Sequence, residues 1–185
     1  MVVDESGANS ASLAAYRDDG SGNLVREYRF SVNDKVDLRF HIPHDYVPGS
    51  HLYIHSHWSH NGTAITGTGT MTTTYGCSYA KGYDQAAFSA VKTATISDTN
   101  VTTGNTPQYR HKILEAAISD TGGTGNLLDS SLIEVDGLVL VNFTVTVIPT
   151  ITGGTTVEPF IHFIDIHYQS TQLATKQRNG PDFYT

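Results

Sequence analysis

Hydrophobic residues in this chain recur at the two-residue spacing of β-strands, and no run holds helical periodicity over an ordinary helix length. The clearest case is KVDLRFHI (35–42), with Val36, Leu38, Phe40 and Ile42 on one side and Lys35, Asp37, Arg39 and His41 on the other. Further strand candidates follow at 51–58, 63–76, 87–97, 131–148 and 160–168, separated by Gly, Pro, Asn and Asp turn chemistry. Asn61-Gly62 predicts a hairpin into the strand 63–76, where Gly67 and Gly69 predict a bulge or a close backbone approach. Residues 87–97 and 109–119 read as the next strand pair. KILEAA (112–117) has the composition of a short helix, and the pattern there leaves helix or strand open. About eight strand candidates with long loops between them point to an all-β fold, a single antiparallel β-sandwich. A jelly roll is the most economical topology, because Greek-key crossings need long connections.

At 185 residues the chain suits one domain. Residues 1–26 are small and polar around a DDGSGN turn and read as an extended N-terminal arm. Residues 27–169 form the sandwich, and 170–185 read as a C-terminal docking tail that closes in aromatics. A net charge of −7 argues against nucleic acid and against an anionic membrane as partners. No apolar run reaches the roughly 18 residues needed to span a bilayer. The first residues, MVVDESGANSAS, carry neither a basic nor an apolar segment, so no signal peptide is expected. Cys77 is the only cysteine, which excludes an internal disulfide framework and a Cys-based zinc site; it reads as a small buried residue.

Chemistry concentrates in HLYIHSHWSH (51–60), which holds four of the nine histidines. At strand spacing His51, Tyr53, His55 and His57 share one face, and Leu52, Ile54, Ser56 and Trp58 the other. The run FIHFIDIHY (160–168) repeats the theme, with His162, Ile164, Ile166 and Tyr168 on one side and Ile161, Phe163, Asp165 and His167 opposite. Two uses compete. The His-x-His pair His55 and His57 could present two imidazoles to one ion, with His162 or His167 and Asp165 completing a first-row metal site. Alternatively, each neutral imidazole offers one donor and one acceptor, so these rings can build a paired polar network along a subunit seam. The seam is the expected use. In a homotrimer, like residues meet near the axis, where ionised groups would repel and neutral rings would not.

The metal pattern resembles two families in part. Cupins carry a Gly, then five residues, then His-x-His, as Gly49 stands before His55 and His57, but Asn61 and Gly62 occupy the places of the cupin Glu. The second cupin motif is met only by Pro159 and His162. Alpha-type carbonic anhydrases place His-x-His before Trp, as HSHW (55–58) does; the likeness covers four residues, and that family's third-ligand motif is missing.

A broader resemblance joins IPHDYVPG (42–49) with the histidine strand 51–58, EVDGLVLV (134–141), IDIHYQST (164–171) and the closing Asn-Gly-Pro-x-Phe-Tyr of 179–184. Together these are similar to virion structural proteins of tailed bacteriophages. The resemblance implies a small jelly-roll structural protein with no catalytic residues. No enzyme activity, cofactor or metal is expected, with a structural ion held on a trimer axis by symmetry-related histidines as a subsidiary alternative. The expected function is a trimeric capsid decoration (cement) protein on the outer surface of the virion, bound to itself and to the major capsid protein. A tail or fibre component and a cupin-like metal-dependent enzyme are the alternatives. His51, Tyr53, His55, His57, His162, Asp165 and His167 are the expected subunit interface. Phe183 and Tyr184 are the expected capsid contact, since aromatic anchors dominate interfaces.

Overall fold

The computed structural model describes residues 2–3, 9–18, 20–22, 24–83 and 85–171. The strands open with β1 (Val2–Val3), β2 (Ser12–Asp18), β3 (Leu24–Arg29), β4 (Lys35–His41) and β5 (Tyr53–Ser59). Next come β6 (Ala64–Ile65), β7 (Gly69–Ala80), β8 (Lys92–Val101), β9 (Lys112–Ala117) and β10 (Ser119–Asp120). The last are β11 (Leu128–Asp129), β12 (Leu138–Val147), β13 (Ile151–Thr152) and β14 (Phe160–His167). Two antiparallel five-stranded sheets face each other, one ordered β1-β4-β12-β7-β8 and the other β2-β3-β14-β5-β9. The fold is all-β and has the layout of a β-sandwich. Among the described residues no helix is long and apolar enough to cross a membrane.

Period-two patterning builds the core. On β4, Val36 and Leu38 are buried while Lys35, Asp37 and Arg39 are exposed, as the alternation predicts. From the same sheet come Val139, Val141, Phe143 and Val145, and from the facing sheet Ile54, Trp58, Leu114 and Ile161, with Leu52 just before β5. Each such aliphatic side chain stabilises the fold by roughly 1.5–3 kcal/mol. Polar groups inside the sandwich are joined across it: Tyr75 of β7 donates to Ser56 Oγ of β5 at 2.9 Å and accepts from Thr73 Oγ1 at 3.1 Å. Cys77 lies in this core, and burial pushes its thiol pKa up to about 12, so it is inert packing.

Several local expectations are corrected. Residues 12–18, predicted to be part of an arm, form the edge strand β2, paired with β3. A bulge between Ala15 and Arg17 brings Tyr16 onto Phe160, with ring centroids 5.0 Å apart. The run looks like an arm because an edge strand with one wet face needs few apolar residues. KILEAA is a strand, its helix-favouring composition overridden by pairing with β5. Residues 131–137 form a 3-10 turn (Ser130–Leu132) and a tight reversal through Asp136 at φ 61° rather than strand. Neither 51–76 nor 87–119 is a hairpin: β5 and β9 pair in one sheet, β7 and β8 in the other. Asn61-Gly62 instead lies where the chain crosses between sheets. The Asn61 side chain is buried and donates to the carbonyls of Ala15 and Tyr16. Gly67 and Gly69 behave as expected, with Gly67 at φ 69° and a register shift between Gly69 and Met71.

Gly62 is required by contact and not by turn geometry. A Cβ there would stand 2.4 Å from Ile151 Cγ2 and 2.7 Å from the Thr152 carbonyl oxygen. Because one of these is backbone, relief needs a chain shift. Gly62→Ala is expected to destabilise the fold by about 1–3 kcal/mol, read as a lower urea midpoint with unchanged slope.

Candidate functional site

The candidate site is the outer face of the β2-β3-β14-β5-β9 sheet, and strand register assembles it. Because β5 lies between β9 and β14, its residues sit in rows across three strands. One row is Ile113, His57 and Phe163; the next is Glu115, His55 and Asp165; the third is Ala117, Tyr53 and His167. The opposite face of β5 supplies the core residues Ile54, Ser56 and Trp58, so each imidazole is anchored from behind. Although they face outward, His55 and His57 are only 7% and 6% exposed. Neighbouring rings cover them: Phe163 stacks on His57 at 3.8 Å, and His167 lies 3.7 Å from His55.

The hydrogen bonds fix proton positions. Carboxylates only accept, so His55 Nε2–H donates to Glu115 Oε2 at 2.7 Å and His57 Nε2–H to Asp165 Oδ1 at 3.1 Å. His167 Nε2–H donates to the other Asp165 oxygen at 3.1 Å. A neutral His57 then has only a lone pair at Nδ1, which accepts from His111 Nε2–H at 2.7 Å. Burial holds the His57 pKa below its ordinary value, against the opposing pull of Asp165, and this favours the neutral ring. The donor atoms of His55, His57 and Asp165 all lie within 4.8 Å of one another.

A second polar cluster occupies the same face toward β3. His162 Nε2 and Ser59 Oγ are 2.8 Å apart, and Ser59 Oγ is 2.7 Å from the Tyr16 hydroxyl. Glu27 lies 3.8 Å from His162 Nδ1. The Tyr16 ring is edge-on to Tyr109, Phe160 and His162. Burial lowers the His162 pKa more than the Glu27 charge raises it.

Of the residues expected to form the interface, Tyr53, His55, His57, Asp165 and His167 come together. His162 joins the same sheet face at a distance from them. Strict alternation set His162 opposite Asp165 and His167, and that is corrected: a register shift between Ile161 and Phe163 resets the phase of β14, so His162 meets Ser59. His51 lies beyond the end of β5, with Nε2 3.5 Å from Thr121 Oγ1. Phe183 and Tyr184 lie outside the described residues. Sequence patterning missed His111, Glu115 and Tyr16. The alternation of Ile113, Glu115 and Ala117 against Leu114 and Ala116 is the signal that would have placed Glu115. Compared with known proteins, the chain matches no family model, no curated sequence and no solved structure.

A pH dependence follows from His162. With its folded pKa below the ordinary 6.5, the unfolded chain binds more protons as pH falls. Its contribution to stability is therefore full above about pH 6.5 and is lost as pH falls through the folded value. In calorimetry of chelator-treated protein, Tm is expected to be lower at about pH 5 than at about pH 7.5. His162→Gln, which keeps a polar end near Ser59 but does not titrate, should shrink that difference; an unchanged difference would mean that other groups set it.

Proposed function

We propose that this chain is a jelly-roll structural protein of a tailed-bacteriophage virion, a homotrimeric capsid decoration (cement) protein on the outer surface of the head. The jelly-roll assignment is supported by strand order. Taking β3, β4, β5, β7, β8, β9, β12 and β14 as eight successive strands, the first, eighth, third and sixth are neighbours in one sheet. The second, seventh, fourth and fifth are neighbours in the other sheet. That is the interleaving a rolled-up pair of Greek keys produces.

The observation that carries the oligomer is the row Ile113–His57–Phe163. Its two apolar ends are 47% and 49% exposed, while the imidazole between them is buried and neutral. Apolar side chains flanking a satisfied polar network suit a self-complementary contact, since a neutral centre avoids repulsion between copies. A trimer can bridge neighbouring capsomers, and area buried on the major capsid protein then offsets outward pressure from packaged DNA. The acidic chain suits an outer position away from nucleic acid. Phe183 and Tyr184 remain the proposed capsid contact on sequence grounds. The proposed role is structural: His57, His111, Asp165 and His167 are hydrogen-bonded to one another, so the network offers a subunit contact a polar centre that is already paired.

Light scattering at micromolar concentration is expected to give a trimer mass. Phe163→Glu and Ile113→Glu should each shift it toward monomer with the strand signal in circular dichroism retained. A stable wild-type monomer would overturn the assembly, and cryo-EM of intact particles without this chain outside the shell would overturn the location.

A further inference from the structure

We infer that His55, His57 and Asp165 form a binding site for one first-row divalent transition-metal ion of the zinc type. The site belongs to a single chain and does not rest on the virion assignment. Two imidazoles and a carboxylate suit zinc, cobalt or nickel and are a poor set for calcium or magnesium, which take oxygen ligands. A tetrahedral ion with bonds of about 2.0–2.2 Å needs donor atoms roughly 3–3.5 Å apart. His57 Nε2 and Asp165 Oδ1 are already 3.1 Å apart, and the full set lies within 4.8 Å. The backbone supplies this arrangement: His55 and His57 share a strand face, and Asp165 is opposite His55 in register.

What separates this cluster from a chance grouping is its outer layer. Each ligand has a partner on the far side. Glu115 accepts from His55 Nε2, His111 contacts His57 Nδ1, and His167 donates to the second oxygen of Asp165. Such partners orient metal ligands and raise their basicity. Phe163 and His167 also shield the rings, which strengthens ligation by lowering the local dielectric.

Proton accounting closes without net release. The ion replaces the proton on His57 Nε2, which leaves to water. His57 takes a proton at Nδ1 from His111 Nε2, and His111 takes one from water at its own Nδ1. No oxidation or reduction is involved. Three protein ligands leave a fourth position for water.

The surface offers a contrast. His41 and His44 reach the same Asp136 oxygen at 3.2 and 2.9 Å, but their side chains are 57% and 78% exposed. This pair is the control for weak adventitious binding.

The test uses the full chain, stripped with chelator and titrated with Zn²⁺ or Co²⁺ by calorimetry and thermal melting. Expected are one ion per chain, a Tm that rises with the logarithm of Zn²⁺ concentration, and a Co²⁺ spectrum of four-coordinate nitrogen and oxygen ligation. Asp165→Asn should abolish the saturable step, and Glu115→Gln should weaken it by ~10–100-fold. His44→Gln should leave it unchanged. Absence of saturable binding by the wild type at about 1 mM ion, or binding that survives Asp165→Asn, would overturn the site. Should Asp165→Asn fail to fold, the wild-type Co²⁺ spectrum decides: a weak six-coordinate spectrum overturns the site and a four-coordinate one supports it. Light scattering on the same samples reports assembly separately.

Discussion

Strand β5 is hydrogen-bonded on both sides, to β9 and to β14, and both of its faces are buried. That double constraint governs the rest of the molecule. A slip of one residue would drive His55 and His57 into the core and turn Ile54 and Trp58 outward. Burying unpaired imidazoles while exposing a Trp and an Ile would cost several kcal/mol, so the register is fixed by physics on both faces at once. The inter-sheet bond from Tyr75 to Ser56 pins the same strand from the core side.

A consequence is that the polar cluster is rigid. Its side chains project from central strands, and its rings are held by stacking on Phe163 and by carboxylates with defined acceptor positions. Neutral imidazole suits this setting, because a charged ring beside two other histidines would lose solvation and gain repulsion. The cluster can serve as a subunit seam and as an ion site without contradiction. A seam uses the apolar flanks of the row; an ion uses the donor atoms at its centre.

The edge of this sheet is handled differently. β2 and β3 close one side, and Tyr16 folds over Phe160 and Ser59, so the second polar cluster is covered by the chain's own N-terminal hairpin. Arg17 lies 5.0 Å over the Tyr109 ring and ties the same hairpin to the loop before β9. The β2–β3 hairpin is thus part of the sandwich, and before it Val2–Val3 pairs with β4 and Ser10 bridges Lys35, so these described residues also belong to the fold rather than to a free arm.

Alternation alone determined the all-β class, the inward set Val36, Leu38 and Ile42 and the two-faced character of β5. These depend on neighbours two residues apart, which a linear sequence displays. Strand partners were not legible, because Asn61-Gly62 signals a hairpin equally well whether or not Ile151 and Thr152 later crowd against it. His111 and Glu115 could not be assigned to the site, since they reach His57 and His55 only through the β5–β9 register. His162 moved to the face of Asp165 because a bulge, invisible to a period-two count, inserts one residue into β14. Local spacing thus set which residues face in or out, while long-range pairing decided which imidazole meets which carboxylate, because that choice rests on contacts more than 50 residues apart along the chain.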